Sequence, residues 1–217
     1  MNPAALRLII ALLLLSLVGA ADGRGRHRGE RPIAAEPAAA RFDYYLLALS
    51  WSPQFCASAA GHRPDKRAQC DRPRGFVVHG LWPQAEPRYP HDCGPLAAVP
   101  AAIAAPALQA DPPMPPGDPG LLEHEWSKHG TCSGLSMADY FRAIQTAAGR
   151  VRIPPRFATA ASVPAADPAP IKASFREANP QLRDDMLQIV ADRTGELKEV
   201  RVCFDKEFRF RRCGPSR

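Results

Sequence analysis

Six cysteines, Cys56, Cys70, Cys93, Cys132, Cys203 and Cys213, constrain this chain of 217 residues more than any other feature. Their weight depends on where the chain goes, and its first residues address that. Arg7 supplies a positive start, Leu8 to Val18 is an apolar run too short for a comfortable membrane span, and Val18-Gly19-Ala20 offers small residues for cleavage before Ala21. Residues 1–20 therefore read as a cleavable signal peptide, and the mature chain as secreted or periplasmic with no membrane attachment left. In an exported chain an even cysteine count argues for disulfides. Six cysteines allow 15 pairings, and the residues alone do not choose among them. A zinc site is disfavoured because no C-x-x-C occurs.

The length suits one domain, or at most two. Residues 21–41 are rich in Arg, Ala and Pro without apolar periodicity, and read as a disordered basic lead-in. Phe42 to Trp51 is aromatic and aliphatic, as a buried strand would be. Between Pro95 and Gly120 there is room for one short helix, about Ala101–Leu108, because prolines 112, 113, 115, 116 and 119 forbid a longer one. Ser136 caps a helix running to Ala148, with Gly149 as its stop. Ile171–Ala178 is a short helix. Asp185–Asp192 and Glu196–Asp205 are strands joined by a tight turn at residues 193–195, and Glu207–Arg212 adds a short edge. Strands and helices do not alternate regularly, so an α+β fold is favoured over a doubly wound one.

The chemistry concentrates in Glu123-His124-Glu125-Trp126-Ser127-Lys128-His129-Gly130-Thr131-Cys132. On a helix, Lys128, Glu125 and His129 fall about 40°, 100° and 140° from His124, so four titratable groups share one face and Trp126 points away. A solvated charged face explains the Glu and Lys but not two His bracketed by Trp and Cys. A metalloprotease helix spaces its two His four apart. Here the interval is five and the fourth position is the cation Lys128, so acid–base chemistry is the better reading. A second stretch, Gly75-Phe76-Val77-Val78-His79-Gly80-Leu81-Trp82-Pro83-Gln84, reads as a short apolar strand ending in a His and a Gly. A lone His at a strand end is more often structural than catalytic. A His able to meet the His/Glu/Lys face changes those odds.

Residues 76–83 and 124–132 closely resemble, in the same order, the two active-site segments of the ribonuclease T2 family. The resemblance continues through Met137-Ala138-Asp139-Tyr140-Phe141, Phe175-Arg176-Glu177-Ala178-Asn179-Pro180 and Leu197-Lys198-Glu199-Val200-Arg201-Val202-Cys203-Phe204, covering about residues 42–213. It implies a mainly antiparallel central sheet with helices packed on it, formed by residues 42–217 as a single catalytic domain. It also implies a Cys93–Cys132 bridge between the two halves of the site. Cys203–Cys213 is the short-range pair, and Cys56–Cys70 then remains.

The implied activity is metal-independent, cofactor-free endonucleolytic cleavage of single-stranded RNA. The product is a 2′,3′-cyclic phosphate that opens to a 3′-phosphate. Two imidazoles suit the base and acid roles, because an unperturbed imidazole titrates at about 6.5. By resemblance His129 is the base and His79 the acid of the first step. Lys128 suits the non-bridging phosphate oxygens and His124 adds a phosphate contact. Glu125 orients His129 or shares a proton with the phosphate; its bland alternative is a helix salt bridge to Lys128. Bases need a flat surface, for which Trp82 and Tyr89 are candidates, although Trp82 reads equally well as core. Gln84 stands where certain relatives carry an acidic base-reading residue, and Leu121-Leu122 replace aromatics, which points to broad base preference. The chain is expected to act as a monomer on RNA and to leave DNA intact. The rival reading is a catalytically weak RNA-binding or cytotoxic protein on the same fold.

Overall fold

The computed structural model describes residues 41–215, apart from 72–73, 87, 116 and 160–163. The signal peptide expected at 1–20 and the lead-in before Arg41 lie outside the described residues.

Strand β1, Tyr44–Trp51, lies inside the sheet and is buried along almost its whole length because packed side chains cover both of its faces. That explains its near-continuous apolar sequence. Short helices α1 (Ser52–Ala57) and α2 (Arg67–Cys70) follow, then β2 (Phe76–Gln84), α3 (Ala101–Leu108), α4 (Pro119–Lys128), α5 (Met137–Gly149), α6 (Pro168–Ala178), β3 (Leu187–Ala191) and β4 (Leu197–Phe204). The four strands form one antiparallel sheet in the order β2-β1-β4-β3. This is the α+β architecture expected.

Alternation gives the sheet two different faces. Tyr45, Leu47, Leu49 and Trp51 point with Val78, Leu81, Val200, Val202 and Phe204 into the main core. There they meet Tyr140, Phe141, Ile144 and Ala147 of α5 and Ile171 and Phe175 of α6. Ser136 caps α5 as expected, its hydroxyl accepting from the Asp139 N–H. Gly149 is the last helical residue rather than the stop, and Arg150 is the C-cap. Among the described residues, the apolar cluster on the opposite face is small: Tyr44, Leu46, Ala48 and Cys203, with Trp82 and Cys213 against them. That face is left for the site.

Strand β2 is an edge, which is why Pro83 is tolerated in it. The edge is not bare: the Pro113 carbonyl accepts from the Val78 N–H at 2.9 Å, and the Tyr140 hydroxyl donates to the Leu81 carbonyl at 3.0 Å. One irregularity matters. Ala48 pairs with Gly80 and Leu49 with Val78, so His79 is the extra residue of a β-bulge, with no partner on β1. The bulge places both Val78 and Leu81 in the core and leaves His79 free to be aimed elsewhere.

Two expectations need correction. Residues 207–212 form no strand; only a single bridge joins Phe210 to Phe204. The Asp205 carboxylate accepts from the Glu207 and Arg209 N–H groups, and Phe208 adopts φ 59°, so the chain turns instead of running on. Residues 185–186 likewise belong to a 3₁₀ turn before β3. The three disulfides join Cys56 to Cys70, Cys93 to Cys132 and Cys203 to Cys213.

Candidate active site

Helix α4 supplies half of the site. Asp118 caps it, accepting from the Leu121 N–H at 2.9 Å, and Pro119 occupies its first turn. Trp126 packs under it against Tyr140. The helix ends at Lys128, and His129 is its C-cap at φ −120°. The expected single helical face is therefore modified: His129 hangs from the turn after the helix. Gly130 makes that turn possible, since a Cβ there would come within 2.4 Å of the Trp126 ring. The Asp92 N–H donates to the Lys128 carbonyl at 2.9 Å, and the Cys93–Cys132 disulfide lies beside it, so the preceding loop is fastened to the helix end.

Strand β2 supplies the other half. A cavity of about 550 Å³ is lined by His79, Trp82, His124, Glu125, Lys128 and His129, among others. Every catalytic and phosphate-contacting residue expected from the sequence thus meets there, and Tyr89 lies on the wall, 39% exposed. Glu125 is fully buried, and forms no salt bridge to Lys128 among the described residues. Its Oε2 accepts from Trp82 Nε1 at 2.8 Å, and its Oε1 lies 3.7 Å from His79 Nε2 with no hydrogen-bond partner. Gly80 lets the carboxylate this close to the strand: a Cβ there would stand 1.8 Å from Glu125 Oε2.

Trp82 joins the two halves. Its indole stacks on the His129 ring at 5.1 Å, takes the His79 ring edge-on at 5.2 Å, and lies under the Arg201 guanidinium at 5.2 Å. Of its two sequence readings, core residue and base platform, this geometry adds a third, a spacer holding both imidazoles. His124 is exposed at the mouth, its ring 6.4 Å from that of His129.

Two residues of the site had no role in the sequence reading. Glu199 on β4 is buried; its Oε1 is 2.8 Å from His79 Nδ1, and its Oε2 accepts from Arg201 Nε at 2.8 Å. The available signal was alternation. With Val200 and Val202 in the core, Glu199 and Arg201 share the face of Cys203.

These surroundings separate the proton affinities. Burial holds His129 down to about 3, and Lys128, His124 and His79 push the same way. Burial would also lower His79, but the hydrogen bond to Glu199 and the fields of Glu125 and Glu199 outweigh it, so its pKa is raised. Burial lifts Glu125 to about 7 despite the His79 field and the Trp82 hydrogen bond. Glu199 falls to about 2, because its contacts with His79 and Arg201 overcome its burial. Desolvation, with the neighbouring Lys128, lowers His124. The proton affinities of the two imidazoles are therefore driven apart within one cleft, in the sense that concerted general acid–base catalysis needs.

Comparison with known proteins identifies the family. The model of the Ribonuclease T2 family matches residues 42–213. A ribonuclease of Aeromonas hydrophila is 35% identical over 185 residues, which is 81% of this chain and 77% of that protein. Among solved structures, an RNase-related protein from Calystegia sepium superposes with a TM-score of 0.58 at 23% identity, covering 82% of this chain and 93% of that one. A variant of RNase MC1, solved in complex with 5′-UMP, gives 0.54 at 21% identity, covering 77% and 90%. The fold, the two histidine-bearing segments and the match over nearly all of the described chain lead to one assignment: this protein belongs to the ribonuclease T2 family of endoribonucleases.

Proposed function

We propose that the protein cleaves single-stranded RNA by transphosphorylation, with side chains alone performing the proton transfers. The carrying observation is the pair of imidazoles on one indole, in surroundings that disfavour the charged form of His129 and favour that of His79. His129 takes the proton of the ribose 2′-OH, and the oxygen attacks the adjacent phosphorus. The P–O5′ bond breaks, and His79 gives its proton to the departing 5′-oxygen. The products are a 5′-hydroxyl fragment and a 2′,3′-cyclic phosphate. In the second step the histidines exchange roles, and water opens the ring to a 3′-phosphate. Substrate anion beside His129 raises its proton affinity from the value in the empty cleft, towards what a working base needs.

Lys128, half-buried at the cavity wall, neutralises charge on the non-bridging oxygens, and His124 contacts the phosphate at the mouth. Glu125, with a pKa near neutrality and an unpartnered Oε1, donates a proton or a hydrogen bond to a phosphoryl oxygen. Trp82 is occupied with its neighbours, so the exposed Tyr89 is the stacking surface for a base, and no charged group at Gln84 enforces a preference. Disulfides in all six cysteine positions fit an exported protein, whose mature chain should begin at Ala21 on N-terminal sequencing.

The test is cleavage in excess EDTA of three substrates of one sequence: RNA, DNA, and RNA carrying 2′-O-methyl at the scissile position. Only unmodified RNA should be cut, leaving a cyclic phosphate. Cleavage of the methylated strand, or products with a 5′-phosphate, would mean that the 2′-OH is not the nucleophile. Binding without turnover would favour the RNA-binding alternative.

A further inference from the structure

We propose that Glu199 is a positioning residue for His79, and that Arg201 holds Glu199 in place for that task. This rests on the two-histidine reading above and extends it to a strand that carries no part of either histidine segment.

Glu199 lies on β4, opposite Ser50 of β1 and Val190 of β3, so its backbone is paired on both sides in the interior of the sheet. Its side chain is 3% exposed. Buried carboxylates are costly unless every oxygen is satisfied. Here each oxygen has one partner at 2.8 Å, His79 Nδ1 on one and Arg201 Nε on the other. An ionised carboxylate only accepts, so the proton of this contact must sit on Nδ1. That leaves His79 Nε2 as the atom that gains and loses a proton. Nε2 is the nitrogen on the side of Glu125 Oε1, 3.7 Å away, in the substrate cavity. Because His79 is a bulge residue, no strand partner fixes its backbone, and the Glu199 hydrogen bond supplies an anchor instead.

The charged groups around His79 are Glu199, Arg201 and Lys198 from β4, Glu125 and Lys128 from α4, and the imidazoles of His124 and His129. Of the two carboxylates, Glu199 is the lasting counter-ion. Arg201 and His79 keep it ionised throughout the working range, whereas burial leaves Glu125 substantially protonated near neutrality. Arg201 has a second contact, its guanidinium over the Trp82 ring, which stacks on His129. One strand thus steadies both imidazoles, one through a carboxylate and the other through an indole.

The experiment uses the full mature chain and the variants Glu199→Gln and Arg201→Gln. Glu199→Gln keeps the volume and one acceptor oxygen but removes the charge. The His79 imidazole, assigned by comparison with His79→Asn, is titrated by NMR without substrate. Its pKa should fall by roughly one unit or more in Glu199→Gln. The basic limb of kcat/KM should move to lower pH by the same amount, and kcat should drop about 10-fold or more while KM changes little. Arg201→Gln takes a cation from beside Glu199, so kcat should drop by a smaller factor as the carboxylate loses its anchor, without the fall in the His79 pKa that loss of the carboxylate charge causes. A folded Glu199→Gln protein with an unmoved His79 titration and basic limb, whatever its stability, overturns the inference. The NMR reading needs no turnover. Absence of RNA cleavage in the parent protein would therefore sink the proposed function, while the Glu199–His79 coupling would still be judged on its own.

Discussion

Two imidazoles of the same intrinsic basicity sit about 5 Å from one indole, yet their surroundings drive them apart. Among the described residues His129 has no carboxylate hydrogen-bond partner, its Nδ1 is buried without a hydrogen bond, and burial and the neighbouring Lys128 oppose its charging. His79 has Glu199. If kcat/KM requires neutral His129 and protonated His79, its acid limb should lie well below the ordinary imidazole value, in the direction of 3. Its basic limb should lie above that value. The plateau should therefore extend across mildly acidic pH, and a conventional bell centred near 6.5 would contradict the assignment. Replacing either histidine with Ala should cut the rate by about 100-fold or more, from lost proton transfer. Near-parental turnover in either variant would remove that residue from the mechanism. His124, Glu125, Lys128 and His129 stood out in the sequence because so many titratable groups in so few residues demand an explanation, and His79 through the resemblance of its segment; the structure adds that all five line one cavity. Glu199 was not singled out: alternation puts it on the face of Cys203, but nothing in a single strand Glu marks it as the partner of His79. Trp82 was ambiguous because an indole has an apolar body and one polar N–H, so sequence cannot say which end matters.

At the scale of elements, the site is a meeting of an edge strand with the end of a helix, and Gly80 sets how closely they meet. Gly80→Ala would drive a methyl into the space of Glu125 Oε2 and close to Trp82 Nε1. The Trp82–Glu125 hydrogen bond should be displaced, stability should fall by about 1–3 kcal/mol from overpacking, and activity should fall with it. Thermal unfolding and a rate assay together check this, and a variant with parental activity would show that the contact is not needed. The Cys93–Cys132 bridge fastens the same helix end from outside and closes a loop of 39 residues. Its removal by a double Ser substitution should cost about 4 kcal/mol by loop entropy. The residue pattern foretold helix Ala101–Leu108 and strands β1, β2, β3 and β4, since apolar runs and Pro punctuation carry that information. It did not foretell the bulge. Val77 and Val78 are equally apolar, so the sequence holds no sign of where the alternation slips.

Over the whole molecule, the fold divides the labour between the two faces of one sheet. Aromatic and aliphatic side chains fill the face under α5 and α6, while the other face is polar enough to carry charged chemistry. The class of fold was readable because helices and strands follow one another irregularly. The strand order β2-β1-β4-β3 was not, because β4 pairs with β1 across some 150 residues and nothing local encodes that. Charge is the remaining property of this scale. The chain carries 28 Lys and Arg against 22 Asp and Glu, for a net charge of +6, and it would stay basic if the signal peptide proposed at residues 1–20 were removed. Arg201 lies on the cavity wall, and Arg211 covers Tyr44, which lines the same cavity. RNA longer than the scissile dinucleotide should therefore gain from contacts beyond the reacting phosphate, and that gain should be screened by salt. For a dinucleoside monophosphate, the slope of log kcat/KM against log salt should be near −0.7 or shallower, as for one neutralised phosphate on a single strand. For an oligonucleotide of about ten residues it should be distinctly steeper. Measured at one pH on the plateau, the two slopes isolate the field of the whole protein from the proton transfers at its centre. Equal slopes would confine the electrostatic contribution to the immediate neighbourhood of Lys128, and the basic balance of the rest of the chain would then have no part in capturing substrate.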